Sequence, residues 1–445
     1  MSNIIRLTAN PRTLVFWSVL KFDFSRIFYT AAIFFIFMTI NPGCKSRKHV
    51  APTPDTNINE QYWIRVLLLN NIQECSIGLD SKFSIEEVSG NLQSKNVIKN
   101  FKPVSDSLNI KINDGQINIA DQVYKSSQII ISPNDLYIFS LNKKFYRGKI
   151  KLTANQDSNS FDVINLVPLE SYIAGVAGAE MPDYWEPEAL KCQVIAARTY
   201  CLFIKERFGR NRSWDLNKTA AHQVYLGMEA ESASVWKAVN ATSGMVLTCR
   251  QADGSEDIFP SYYSSTCGGH TENSENVFGD SYEPLKGVDC SYCNDVAKPE
   301  FFFWPDALFE KTDVIARLTS KYPNLSKLGE IIEISTAQQS EYRDFSRLTK
   351  IEIKGSNGID FLRAEDFRLA IDPSGRMLRS AACKLETPDD KLIFTEGRGW
   401  GHGVGMCQCG AEGMARKGKK AEEILQYYYP GSKILKIEYK NDGKI

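Results

Sequence analysis

The chain has 445 residues, which is enough for about two or three domains. Its hydrophobic content of 43% and charged content of 24% are ordinary for a globular protein. Lys+Arg and Asp+Glu are each 53, so the formal net charge is zero and no long-range field attracts nucleic acid. A neutral polymer such as a polysaccharide fits this composition better than a polyanion.

The N-terminal segment carries an apolar run. Residues 27–40 match the hydrophobic region of a signal peptide and are short for a spanning helix. Cys44 follows a small residue just past this run and resembles the lipid-modified cysteine of a bacterial lipoprotein; the alternative is an uncleaved, tilted membrane anchor. We therefore expect an anchor over 1–44 and a flexible tether over 45–61, with the rest of the chain outside the cytoplasm.

Short strand-like runs separated by polar turns fill residues 62–165, which we expect to form an N-terminal β-rich region. The predicted strands are 64–69, 97–98, 110–112, 117–119, 127–132 and 149–152.

Helices are predicted next, in a core over 166–299. Pro168 suits the first turn of a helix over 169–180, and Pro187 suits the first turn of a second helix over 188–208.

A hairpin-rich stretch is expected from about 239 to 271, and a second α+β lobe over 300–391. Residues 392–445 should add a glycine-rich strand and a C-terminal helix to the core. The whole pattern predicts an α+β fold of mixed helices and antiparallel strands. The predicted strands and helix of this part are 331–334, 349–353, 391–394 and 421–429.

Glu180 is the first candidate for chemistry. Leu169, Tyr172, Ile173 and Val176 recur at helical spacing, and Glu180 continues their stripe because eleven residues return to nearly the same azimuth. Desolvation on an apolar face favours the protonated carboxylic acid. A protonated acid near neutral pH is what cleavage of a glycosidic bond needs. The alternative is that Glu180 merely ends the helix and points to solvent.

A second candidate is the segment 396–406, in which glycine occupies every other position. In an extended conformation its side chains share one face, and the bare backbone face allows close approach of a ligand or strand. Trp400 could then stack on a sugar ring, and His402 could bond to a substrate or to Glu180. A flexible loop or tight strand packing is the alternative.

A third candidate combines Cys267 and His270 with Cys290 and Cys293. Two pairs of soft ligands at two-residue spacing match a closed, structural zinc site. Two alternatives remain: a Cys290–Cys293 disulfide, or a His270 side chain that faces a substrate groove. No organic cofactor is expected.

Seven sequence blocks of this chain resemble the stage II sporulation protein D (SpoIID/LytB) family. The blocks are Leu169-Glu-Ser-Tyr-Ile-Ala-Gly, Ala179-Glu-Met-Pro182, Glu188-Ala-Leu-Lys-Cys-Gln-Val-Ile-Ala-Ala-Arg-Thr-Tyr200, Gln223-Val-Tyr225, Thr242-Ser-Gly244, Gly268-Gly-His-Thr-Glu272 and Gly399-Trp-Gly-His-Gly-Val-Gly-Met406.

The resemblance implies a peptidoglycan lytic transglycosylase with a glycan cleft, whose catalytic acid is the glutamate of the Glu-Met-Pro block, Glu180. It also implies a structural zinc in some members. Two other classes stay open: a non-catalytic glycan-binding enhancer of a cell-wall amidase, and a zinc amidase or peptidase. A hydrolase would need a second carboxylate, for which Glu188, Glu272 and Glu396 are candidates.

Polar and aromatic residues of these blocks and of neighbouring loops are the candidates for binding peptidoglycan glycan strands, although each could instead serve packing. They are Arg198, Tyr200, Gln223, Tyr225, Tyr262, Ser264, Ser265, Thr271, Glu272, Trp400, His402 and Gln408.

Overall fold

The computed structural model describes residues 62–88, 98–102, 107–134, 137–155, 159–209 and 212–438. The expected anchor, Cys44 and the tether lie outside these residues. Within the described ranges, no helix is both long enough and apolar enough to cross a membrane. The described chain divides into two compact units, an N-terminal unit (62–261 with 433–438) and a C-terminal unit (262–432). The boundary therefore follows Ser261, whereas the sequence suggested one near residue 300.

The N-terminal unit begins with two sheets. Alternation of apolar and polar residues favours these strands. In the strand Leu108–Asn113 every second side chain is buried, as expected where one sheet face meets a core. All the predicted strands that lie in the described residues are present here. The strands are β1 (Trp63–Ile72), β2 (Glu74–Gly78), β3 (Phe83–Glu87), β4 (Ile98–Phe101), β5 (Leu108–Asn113), β6 (Gln116–Ile119), β7 (Gln122–Tyr124), β8 (Gln128–Pro133), β9 (Ile138–Leu141), β10 (Lys144–Arg147), β11 (Lys149–Asn155) and β12 (Ser160–Pro168).

Two helices follow β12 directly. The first, α1 (Leu169–Glu180), starts after Pro168 and is buried from Leu169 to Ala177, except at Glu170. The second, α2 (Pro187–Phe208), has proline in its first turn, where the missing N–H costs no hydrogen bond. Both predicted helices are confirmed. The unit continues with β13 (Leu216–Asn217), α3 (Ala233–Ala241), β14 (Met245–Arg250) and β15 (Glu256–Ile258).

The C-terminal unit contains the predicted second lobe. A core of aliphatic and aromatic side chains fills this lobe between its antiparallel sheets and two helices. Its elements are β16 (Tyr263–Ser264), α4 (Ser274–Val277), α5 (Pro299–Phe302), β17 (Phe303–Trp304), β18 (Ala307–Glu310), α6 (Lys311–Lys321), β19 (Ile331–Glu341), β20 (Ser346–Gly355), β21 (Gly358–Arg363), α7 (Ala364–Ile371), β22 (Lys384–Glu386), β23 (Lys391–Thr395), β24 (Gly397–Arg398), β25 (Met406–Cys407), α8 (Gln408–Arg416) and α9 (Ala421–Tyr428).

The last described strand, β26 (Lys433–Lys436), returns to the N-terminal unit and pairs antiparallel with β14. Among the sheets of the described residues, the seven-stranded one has the order β13-β1-β12-β11-β8-β3-β4 and the six-stranded one β10-β9-β2-β5-β6-β7. Nearly all strand pairs are antiparallel, and helices and strands are mixed along the chain, so the predicted α+β class is confirmed.

The glycine-rich segment differs from its prediction. Gly397 and Arg398 form a short strand there, paired with β17, and Met406 at the other end begins β25. Gly399, Gly401, Gly403 and Gly405 all have positive φ, between 70° and 102°. Left-handed residues turn the chain, so the side chains do not share one face as an extended strand would require.

Candidate active site and thiol cluster

Glu180 is the last residue of α1. Met181 adopts an extended conformation, and its N–H still bonds to the carbonyl of Ala177, which ends the helix at this carboxylate. The side chain of Glu180 is half-buried. Its Oε1 accepts a hydrogen bond from the backbone N–H of Val224 at 3.0 Å, so a backbone donor fixes the orientation of the carboxyl group.

Buried hydrogen bonds hold the loop that supplies this donor. Gln223 Oε1 accepts from the Tyr172 hydroxyl at 3.1 Å, and its Nε2 donates to the carbonyl of Ala197 at 3.1 Å. The Tyr225 hydroxyl donates to Asn165 Oδ1 at 3.0 Å. Gln223 and Tyr225, which were predicted to bind glycan, are only 1% and 2% exposed. In this structure their hydrogen bonds position the Val224 amide that contacts Glu180.

The α2 candidates are also buried. Arg198 has no exposed surface, and its guanidinium donates to both carboxylate oxygens of Glu170 and to the carbonyl of Met245. Tyr200 is 9% exposed. Arg198 therefore cross-links α1, α2 and β14.

The three candidate partner carboxylates lie in different settings. Glu188 forms an ion pair with Lys191 at 2.7 Å on α2, and Glu396 pairs with Lys384 at the surface of the other unit. Glu272 is 2% exposed and accepts from Tyr342, Ser340 and Asn276. Glu272, which was predicted to bind glycan, therefore ties its loop to β19 and the turn after it.

The remaining hydroxyl candidates of the C-terminal unit differ in exposure. Tyr262 is half-buried, donates to Asp280 Oδ2 at 2.8 Å and stacks on Phe278. The Thr271 hydroxyl exchanges hydrogen bonds with the backbone of Val288 and is 1% exposed. Thr271 is thus also structural.

Around β16 and β25, Ser264 and Gln408 are 7% and 5% exposed. Ser265 is half-buried, and its carbonyl accepts from the N–H of Cys409 at 3.0 Å. These positions line the start of α8.

His402 has a defined tautomer. The N–H of Val404 donates to Nδ1 at 3.0 Å, so Nε2 carries the proton and donates to the Tyr263 carbonyl at 2.9 Å. Burial lowers the pKa of His402 to about 4. The imidazole is therefore neutral at physiological pH and holds the glycine-rich segment against β16.

Four cysteines of the C-terminal unit form a compact cluster. The Sγ atoms of Cys267, Cys290, Cys293 and Cys407 all lie within 4.8 Å of one another, and all four residues are buried. Cys267 Sγ and Cys293 Sγ are 3.8 Å apart, and none of the ten cysteines in the described ranges forms a disulfide. We call this group the four-thiol cluster.

Cys407 takes the place that the sequence suggested for His270. Parallel pairing of β16 with β25 sets Ser264 beside Cys407, which carries its sulfur to within 3.3 Å of the Cys267 N–H. The His270 ring lies outside the cluster, stacked on Tyr342 with 4.1 Å between centroids. Cys407 stood alone within a glycine-rich motif, so ligand spacing gave no signal for it.

Comparisons with known proteins identify the family of this chain. A family model described as "Stage II sporulation protein" matches residues 157–249, which include α1 and α2. The chain is 30% identical to the stage II sporulation protein D of Bacillus subtilis over 303 residues, 64% of this chain and 78% of that protein. The chain belongs to the stage II sporulation protein D family.

Two further relatives widen this picture. An uncharacterised protein of Brachyspira hyodysenteriae is 34% identical over 299 residues, 67% of this chain and 74% of the relative. A protein named amidase enhancer from Bacillus subtilis is 28% identical over 366 residues, 73% of this chain and 49% of the relative. This chain thus spans about half of the amidase enhancer's length.

Proposed function

We propose that this protein is a peptidoglycan lytic transglycosylase that acts in the cell wall, with Glu180 as its acid and base. The observation that supports the proposal most is the half-buried Glu180 carboxyl group at the end of α1, held through Oε1 by the Val224 amide. A carboxyl group fixed in this way can donate a proton to a bound glycan and take one back.

The proposed reaction uses one carboxyl group twice. Glu180 donates its proton to the glycosidic oxygen between N-acetylmuramic acid and N-acetylglucosamine, and the C1–O bond breaks. The muramyl C6 hydroxyl attacks C1, and its proton passes to the Glu180 carboxylate, which closes a 1,6-anhydro ring. The Val224 N–H stabilises the carboxylate between these two transfers.

A product analysis tests this proposal. The protein lacking residues 1–44 is incubated with purified peptide-free glycan strands, and soluble products are identified by mass spectrometry. We expect anhydro-muramyl ends from the wild type and a loss of at least about a hundredfold with Glu180→Gln. Glu188→Gln, which removes a nearby carboxylate in sequence, should keep the activity.

Two results would contradict the proposal. Reducing ends would mean hydrolysis with a second carboxylate, and activity equal to wild type in Glu180→Gln would remove Glu180 from the mechanism.

The second candidate function is a non-catalytic enhancer of a cell-wall amidase. The relative named amidase enhancer favours it. In that case the wild type would release no products from glycan strands, would bind them, and would raise the turnover of an added amidase equally well with Glu180→Gln.

We also propose that the four-thiol cluster holds a structural zinc ion. Four thiolates suit zinc, and a tetrahedral ion with Zn–S bonds of about 2.3 Å separates its sulfurs by about 3.8 Å. Cys267 and Cys293 already have this sulfur separation. The N–H groups of Cys267 and Gly410 point at Cys407 Sγ, as donors to a metal-bound thiolate do. The ion would cross-link the segments that carry the four cysteines, and it would have no open coordination position for catalysis.

Metal content measured on purified protein tests this site. We expect about one zinc per chain in the wild type, in Cys409→Ser and in His270→Asn, and none in Cys407→Ser. Cys409 is a close control because it lies two residues from Cys407 and outside the cluster. Zinc lost in His270→Asn but kept in Cys407→Ser would restore the ligand set first expected from the sequence.

The proposed setting is outside the cytoplasm, with the chain tethered to the membrane by its N-terminal segment. Acylation at Cys44 is tested by metabolic labelling with a fatty acid; we expect label in the wild type and none in Cys44→Ala.

A further inference from the structure

One face of the seven-stranded sheet of the N-terminal unit carries cations among aromatic rings. Its apolar floor consists of Trp63, Ile164 and Leu166, with Tyr137 and Trp214 packed against them. The Lys149 ammonium lies 5.1 Å from the centroid of Trp63 and 5.7 Å from that of Tyr137. The Arg212 guanidinium lies 4.9 Å from the centroid of Trp214. We call the group the basic aromatic face, and its members are Trp63, Tyr137, Lys149, Lys151, Arg212 and Trp214.

Strand pairing puts the two lysines on the same side of the sheet. Lys149 and Lys151 are two residues apart in β11, and they lie opposite Leu166 and Ile164 of β12. Successive side chains of a strand alternate between the two faces of a sheet. Both lysine side chains therefore leave the sheet on the face that carries the apolar floor, and the rigid strand β11 holds them there.

The cations of this face are not neutralised by ion pairs. In the ranges that the structure describes, no carboxylate lies within ion-pair distance of Lys149, Lys151 or Arg212, although other cations of the unit are paired. Glu86 acts on Lys149 only from farther away. Lys151 is 7% exposed, and burial lowers the pKa of both lysines. A buried cation without a counter-charge costs free energy, which an anionic ligand would recover.

The described chain begins beside this face. Tyr62 is its first residue, and the Lys205 ammonium lies 5.1 Å from the Tyr62 ring while it donates to the Trp63 carbonyl at 3.1 Å. The expected tether over 45–61 has 17 residues. A flexible chain of this length has an end-to-end distance of about 20–25 Å. The proposed anchor at Cys44 would therefore hold the face close to lipid headgroups, at a high effective concentration of membrane.

The chemistry of the face matches the headgroup region of an anionic bilayer. Tryptophan and tyrosine rings favour the boundary between water and hydrocarbon, where one part of the side chain is apolar and the other is polar. Lysine and arginine are attracted to the negative charge of lipid phosphates. A soluble phosphate would use the cations and leave the rings without a partner.

We propose that the basic aromatic face docks the N-terminal unit on the anionic phospholipid headgroups of the membrane to which the chain is tethered. The inference rests on the membrane-tethered setting given under the proposed function. Lys149, Lys151 and Arg212 contact lipid phosphates, and the half-buried rings of Tyr137 and Trp214 lie among the headgroups. Docking fixes the orientation of this unit relative to the membrane, whereas a flexible tether alone leaves it free to turn.

Vesicle binding tests this assignment. The chain lacking residues 1–44 is sedimented with vesicles of phosphatidylcholine alone or of phosphatidylcholine mixed with phosphatidylglycerol, which is anionic. We expect binding to the mixed vesicles only, and added salt should weaken it. Lys149→Gln with Arg212→Gln should weaken it about tenfold or more, because each basic residue near an anionic bilayer contributes about fivefold.

Matched variants separate charge from fold. Lys237→Gln with Arg250→Gln removes two exposed cations of the same unit that are not part of the face, and we expect binding equal to the parent's. Lys151→Met serves if the Lys149 and Arg212 double variant has a lowered melting temperature. Methionine is apolar and similar in length to lysine, so this variant should keep the fold and weaken binding about threefold or more.

The proposal is overturned if the variants of the face bind mixed vesicles as tightly as the parent, or if the parent binds neutral vesicles equally well. Inorganic phosphate that releases the protein from vesicles more strongly than chloride at the same ionic strength would indicate a site for soluble phosphate and would also overturn it. Failure of the proposed function looks different: anhydro-muramyl products or the fatty-acid label at Cys44 would be absent, while vesicle binding by the chain lacking residues 1–44 persists.

Discussion

At the scale of single residues, Arg198 carries a charge with no exposed surface and forms an ion pair with Glu170 at 2.6 Å. We expect Glu170→Gln to lower the free energy of unfolding by about 3 kcal/mol, because a buried guanidinium loses its counter-charge. Urea unfolding at neutral pH measures this. Adding Arg198→Met to the variant should recover part of the loss; an unchanged stability of Glu170→Gln would show that the pair contributes nothing.

His402 gives stability a dependence on pH. Burial holds its pKa at about 4 in the folded protein, below the ordinary value of 6.5. The unfolded chain therefore takes up a proton first as the pH falls, and stability is lost between about pH 6.5 and 4. We expect this residue to account for about 2 kcal/mol between pH 7 and 4.5.

A comparison with His402→Gln isolates this contribution. Glutamine can still donate to the Tyr263 carbonyl but does not titrate, so unfolding at pH 7 and at pH 4.5 should differ less in the variant than in the wild type. Equal differences would show that His402 titrates normally in the fold.

At the scale of elements, two glycines let α1 approach the chain that follows α2. A Cβ at Gly178 would lie 1.9 Å from the Ala230 carbonyl oxygen, and one at Gly175 would lie 2.6 Å from the Tyr225 ring. We expect Gly178→Ala to cost about 1–3 kcal/mol and to lower activity, because α1 must move and carries Glu180 with it. Thermal melting and the product assay measure both effects.

Gly418→Ala is the control for that prediction. Gly418 has a φ of 84°, and no atom lies within 4 Å of the position that a Cβ would take, so alanine there should cost stability through the backbone alone and leave activity intact. Full activity in Gly178→Ala would contradict the close approach of α1.

Elements whose sequence signal lies within one short segment could be predicted. The helices α1 and α2 follow from apolar spacing and from the prolines at their starts, and both were confirmed. The glycine-rich segment was not, because alternating glycines fit an extended strand and a series of left-handed turns equally well. The residues packed against the segment decide between these two conformations. Gly405, for example, lies so close to the Tyr262 carbonyl that no side chain fits there.

At the scale of the whole molecule, β26 completes the N-terminal unit from the far end of the sequence. It covers one edge of β14, whose Val246 and Leu247 are fully buried. We expect deletion of 433–445 to expose this edge and to speed hydrogen exchange of the β14 amides, whereas deletion of 439–445 alone should not. Unchanged exchange in the longer deletion would show that β14 is stable without its partner.

The candidate site shows the same division between local and distant information. Glu180 could be predicted because its helix lies within one short segment, although the Val224 amide that holds it could not. Arg198 and Gln223 have the residue types of a binding site, but tertiary packing uses them inside the fold. Cys407 joins its cluster only because β16 and β25 pair.

The long sequence separation between Cys267 and Cys407 also sets the order in which the cysteines of the cluster are synthesised. Cys407 is made 140 residues after Cys267, which at about 5–20 residues per second takes about 7 to 28 s. During this interval the nascent chain presents Cys290 and Cys293 without their fourth neighbour. The four-thiol cluster can therefore form only after β25, which carries Cys407, has emerged.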